Sequence, residues 1–233
     1  MKEEKTFYLI AAGAAFLTAG TTFALWLLPR LYPPPANFAA GVELAGNGYY
    51  MARQWINLLH IPLALTAYFA LAYKLRKKSL PVAGLGFVWF IIWGITEMIG
   101  IAVIIFSVNR TWRAGFNAAD EARKIILKSN IEAFYAIWDS MFFVLLIAFL
   151  LGTSFYGWAT FRSKGVDRLL SYLFWLAAPL TILIILSGYA EISWADPLVA
   201  WIYPVLQPVS RFVLGLSLLK GEEQNPEPAG PSQ

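Results

Sequence analysis

The sequence predicts an all-α, polytopic transmembrane helical bundle of six spans with both ends on the cytoplasmic side. Three observations predict it. Only 14% of the 233 residues are charged and 59% are hydrophobic, whereas a soluble domain carries about 25% charged residues. Apolar runs of about 20 residues recur, each closed by charged or turn-forming residues, which is the length that crosses a bilayer. The cations gather in short groups beside those runs, where they set orientation.

The first run, about 6–28, follows Met1-Lys-Glu-Glu-Lys5 and ends in Leu28-Pro29-Arg30. It is longer than the apolar core of a signal peptide and lacks a small-x-small cleavage site, so it reads as a retained span. Its Ala11, Ala15 and Ala19 fall four apart, a small-residue face on which helices approach closely in lipid. A loop opened by Pro33-Pro34-Pro35 leads to span two, about 55–73, which stops at Lys74-Leu-Arg-Lys-Lys78. Span three covers about 82–108. Asn117 then reads as the cap of a short helix to Lys128, with Asp120 and Glu121 in its first turn, continuing into span four at about 131–155. Arg162, Lys164 and Arg168 precede span five, about 169–186. Asp196-Pro197 starts span six, about 198–219, as a cap followed by proline at the first helical position. Residues 1–220 are thus one six-span domain, and 221–233, charged and rich in Pro and Gly, read as a disordered cytoplasmic tail.

Orientation follows from alternate connections. Ten cations (Lys2, Lys5, four within 74–78, Arg162, Lys164, Arg168 and Lys220) fall on one side and seven on the other. The richer side is assigned to the cytoplasm of a bacterial or archaeal membrane. The net charge of +4 is accounted for by these clusters and does not point to nucleic acid. With no cysteine and one histidine, thiol nucleophiles, iron–sulfur clusters and multi-histidine metal sites are excluded within this chain.

Ionisable residues inside apolar spans are costly and mark candidate sites. His60, Glu97 and Asp139 are expected in the outer half of the bundle as acid/base or binding groups. Arg53, Asn57 and His60 share one face of span two, with Asn57 expected to orient His60. Trp93 and Glu97 share a face of span three, and Glu132 and Asp139 a face of span four. In span six, Gln207 and Arg211 lie on one face beside Pro204 and Pro208. Arg211 reads either as a phosphate or carboxylate partner or as a cation that snorkels or pairs with Asp167. These patterns predict a polar cleft that opens outward and narrows toward Glu97, without a resident metal and with no cofactor named.

One histidine excludes the multi-histidine zinc centre of the alkaline-ceramidase and adiponectin-receptor group. His60 and Glu97 among deep tryptophans are similar in kind to the His and Glu residues of the sterol-isomerase bundles, with no motif that aligns. The functional expectation is a membrane protein that binds, converts or transports a lipid-like or small amphipathic molecule. The alternative is a non-catalytic accessory subunit whose partners are other membrane subunits.

Overall fold

Residues 2–221 except 191, 193 and 195 are described by the computed structural model, with the side chains of 2 and 196–199 left aside. All regular structure among them is helical. The expected tail, 222–233, and the side chains of the Asp196-Pro197 cap lie outside the described residues.

Seven α-helices follow one another: α1 (Lys2–Leu27), α2 (Phe38–Glu43), α3 (Gly48–Val103), α4 (Ala114–Phe116), α5 (Glu121–Thr160), α6 (Val166–Ala190) and α7 (Asp196–Leu219). Short 3₁₀ turns sit before and after α2, and π-helical turns, Ile104–Arg113, join α3 to α4. Five helices are long and apolar enough to cross a membrane, the make-up of a multi-pass membrane protein. One of these helical runs, Gly48–Phe116, has 69 residues and would measure roughly 100 Å if straight, over three times the hydrocarbon thickness. It is not straight. Ser79 leaves the helical region (φ −155°, ψ 53°), and Pro81 lacks the N–H that would bond the carbonyl of residue 77.

The two halves of α3 therefore fold back on each other. Tyr68 stacks on Phe90 with centroids 3.7 Å apart, Phe69 meets Phe87, and Trp55 meets Phe106. Residue numbers rise on one side as they fall on the other, so the pairing is antiparallel. The expected spans 55–73 and 82–108 are these two halves. The second passes without a break into the π-helical turns at Ile104, so the last residues of the expected span are π-helical.

One end of the bundle gathers the N-terminus, the break at Ser79, the α5–α6 connection and the end of α7. Arg76 meets Glu4 at 3.1 Å there. Lys74 Nζ donates to Asp167 Oδ1 at 2.8 Å, to the Ser217 carbonyl at 2.8 Å and to Ser217 Oγ at 3.1 Å. That clamp ties α3, α6 and α7. The opposite end carries α2, the π-helical turns, α4 and the start of α5. The helix expected from Asn117 begins at Glu121 instead: Asp120 Oδ1 accepts the Arg123 N–H at 2.7 Å, while Asn117 closes α4. From Glu121 the helix does continue without interruption into the expected fourth span.

Packing follows the small residues. Ala11 and Ala15 are fully buried and Ala19 nearly so. Gly215 makes room for the Phe16 ring, which a Cβ would approach to 2.5 Å, and this draws α1 against α7. Gly86 does the same for Tyr156, whose hydroxyl donates to the Tyr68 carbonyl at 2.7 Å. Gly100 is the tightest seat, since a Cβ there would lie 1.6 Å from Trp138 Cζ3.

Two outcomes follow. Gly100→Ala must displace the Trp138 ring, and overpacking of this kind costs roughly 1–3 kcal/mol. Unfolding in micelles should report that loss together with a shift in tryptophan emission. Lys74→Met leaves Asp167 without its cation in a site where the two side chains are 5% and 13% exposed, a loss of roughly 3–5 kcal/mol. Lys74→Met combined with Asp167→Leu should recover most of it in the same assay; a double variant no better than the single would refute the ion-pair account.

Candidate functional site

The polar residues expected in one cleft are divided by the structure into an inner group and an outer group. The inner group lies between α1, the two halves of α3, and α7. His60 is 3% exposed, and its Nδ1 lies 2.7 Å from Thr21 Oγ1 on α1. Thr21 Oγ1 is also 3.0 Å from the Leu17 carbonyl. With the threonine proton on that carbonyl, Nδ1–H donates to Thr21 and Nε2 presents a lone pair.

Asn57 Nδ2 donates to Glu97 Oε1 at 2.9 Å across the α3 hairpin. The expectation that Asn57 orients His60 thus gives way to two separate contacts. Asn57 and His60 are three residues apart on one helix, and each reaches a different neighbouring helix. Trp93, one turn before Glu97, is 5% exposed and packs edge-on against Phe90 and Phe149. It belongs to the aromatic core.

Arg211 is 6% exposed, and Gln207, one turn earlier on α7, is also buried. Helical side chains lean toward the N-terminus of their own helix, so Arg211 extends toward Gln207, away from the Lys74 clamp. Its Nε and Nη1 are buried without a hydrogen-bond partner, as is the Ser210 hydroxyl. His60, Tyr68, Glu97 and Tyr203 all lie within electrostatic range of its charge. Asp167, one expected partner of Arg211, is engaged by Lys74 instead.

The outer group is Glu132 and Asp139, both exposed on α5. Among the described residues, no hydrogen bond or ion pair joins Asp139 to His60 or Glu97. The reason is helical phase: Trp138 plugs into Gly100 of α3, and the next residue projects about 100° away. Glu132 and Asp139 instead line a cleft of about 470 Å³ with Asn37, Phe38, Val42 and Tyr135.

Arg113, one of the seven cations on the less basic side, also lines that cleft. It is 7% exposed. The spacing Asn109-x-x-x-Arg113 was the available clue, since groups four apart share a helix face. A larger cleft of about 710 Å³ at the other end is lined by Lys78, Ser79, Arg162, Trp158 and Trp175. No cluster of three or more His, Asp or Glu able to hold a metal occurs among the described residues.

No protein-family model, curated protein or solved structure matches this chain.

Proposed function

We propose that this chain is a six-pass integral membrane protein whose inner polar group holds the anionic head of a lipid-like or small amphipathic molecule. The observation that carries the reading is Arg211. Guanidinium stays protonated at any accessible pH, and a buried charge needs a counter-charge and filled donors. Two of its nitrogens have no hydrogen-bond partner. Among the described residues, the carboxylate in its range is Glu97, which is half-buried and committed to Asn57.

A carboxylate or phosphate placed against Nε and Nη1 would fill those donors, with Gln207 and Ser210 beside it. Glu97 and His60 are then placed to exchange protons with the bound molecule, in conversion or in proton-linked transport. A tight Arg211 contact also gives the two prolines of α7 a role, because they free backbone groups in the turns beside it. The accessory-subunit reading draws on a different feature. The first turns of α5 expose Ile125 and Ile126 at 70% and 50%, a surface on which another subunit could seat.

Native mass spectrometry of protein extracted with its own lipids separates the two. The wild type should retain one amphipathic anion per chain, Arg211→Gln should lose it, and Arg211→Lys, which keeps the charge but not the planar fork, should retain part of it. Glu97→Gln should abolish turnover or transport of that molecule while leaving expression intact. Stable attachment to other subunits with no bound amphipath would reject this reading in favour of the accessory one.

On this reading the α3 break and both termini face the cytoplasm, supported by ten cations on that side against seven on the other. Reporter fusions at Lys78 and Gly115 should give cytoplasmic and external signals respectively, and an external signal at Lys78 would overturn the orientation.

A further inference from the structure

At the end of the bundle away from the Lys74 clamp, Arg113 sits in an arrangement unlike that of an ordinary structural arginine. Its Nη1 donates to Tyr50 Oη at 3.0 Å and to Asn109 Oδ1 at 2.9 Å, and its Nη2 donates to Tyr135 Oη at 3.1 Å. The acceptors are two phenols and an amide, and none is a carboxylate. The guanidinium is held in a fixed orientation while its charge is left uncompensated. Nε has no partner, and neither has Nδ2 of Asn109, a residue only 2% exposed. Asn109 and Arg113 both lie in the π-helical turns, a geometry that recurs at functional sites.

The cleft beside Arg113 also carries two acids. Asp139 offers a carboxylate that makes no hydrogen bond or ion pair among the described residues; the contact from Tyr189 goes to its backbone carbonyl. Glu132 is met only by Lys128, at 3.7 Å and in an exposed pair, an interaction of little strength. The rest of the wall is mainly apolar, with Phe38, Val42 and Ile131, and is completed by Asn37 and Tyr135.

We propose that this cleft is a second binding site, for a head group that carries an ammonium and an anion together. A simple anion would fill the Arg113 donors but face both carboxylates. A simple cation would satisfy the carboxylates but face the guanidinium. An ammonium set between Glu132 and Asp139, with a phosphate or carboxylate turned to Arg113, meets both fields. The volume of about 470 Å³ suits a head group of phosphoethanolamine size. The same chemistry arises from a zwitterionic phospholipid or from a small soluble ammonium–anion compound. The site shares no residue with the Arg211 group, so either can stand without the other.

The test uses the full-length protein in micelles, titrated with phosphatidylethanolamine or phosphatidylglycerol and read by native mass spectrometry. The ethanolamine lipid should bind about tenfold more tightly, the worth of one charged hydrogen bond. Glu132→Gln with Asp139→Asn should bring the two lipids level, and Arg113→Gln should weaken both. Because the two acids are exposed, their double variant remains a fair test even where Arg113→Gln does not fold. Competition by glycerophosphoethanolamine supports the proposal with a soluble source, and its failure to compete supports it with a lipid source. Equal binding of the two lipids to the wild type, or a preference that survives loss of both acids, would overturn it.

Discussion

Lys74 is the fixed point of the bundle. Its ammonium has three donors, and Asp167, the Ser217 carbonyl and the Ser217 hydroxyl take all three. A charge so far from water is tolerable only when its partners are complete, and completing them pins α3, α6 and α7 at one level. The position of everything farther along those helices is then set. Arg211 lies six residues before Ser217, roughly 9 Å along α7, and leans farther in the same direction. It therefore projects toward the level where the α3 hairpin presents His60 and Glu97, rather than toward the end where Asp167 sits.

Between the clamped end and the opposite one, the helices are fitted by glycines facing aromatic rings. Gly86 receives Tyr156, Gly152 receives Phe90, and Gly100 receives Trp138. Lipid removes the hydrophobic incentive for helices to associate, so close approach and dispersion must supply it. Each such seat fixes the rotation of a helix as well as its distance. The Trp138 seat has the largest consequence for function. By turning that ring toward α3, it turns Asp139 outward, and His60, Glu97 and Asp139 fall into two separate groups of residues.

The helical class and the small-residue face of α1 were legible because each rests on local pattern. So was the placement of His60, Gln207 and Arg211 in the interior, since apolar neighbours on every turn leave a polar group no other place. Partner choice was not legible. Asn57 could face His60 or Glu97, and Asp167 could face Arg211 or Lys74. The deciding facts are helix order and rotation, which come from seats such as Gly100 and from the break at Ser79. Arg113 was obscured for another reason: in a cation-bearing loop it counts toward orientation, and nothing in composition tells a buried arginine from a solvated one.

Three buried cations among the described residues, Lys74, Arg113 and Arg211, permit a comparison of internal compensation. Lys74 has a carboxylate and two further oxygens, so its charge and its donors are both satisfied internally. Arg113 has only neutral oxygens, and Arg211 has no hydrogen-bonded oxygen at all among the described residues. Replacing a satisfied cation should chiefly disturb the fold, because nothing outside the chain was needed to balance it. Replacing an unsatisfied one should chiefly disturb whatever balances it from outside, and relieves the unliganded fold of a desolvated charge. The degree of internal compensation thus sets Lys74, with its charge and donors satisfied inside the chain, apart from the two arginines for which binding is proposed above. The same criterion explains why the two arginines lie beside acids that do not bond them: Glu97 near Arg211, and Glu132 with Asp139 across the outer cleft, leave space in which a ligand can complete the circuit.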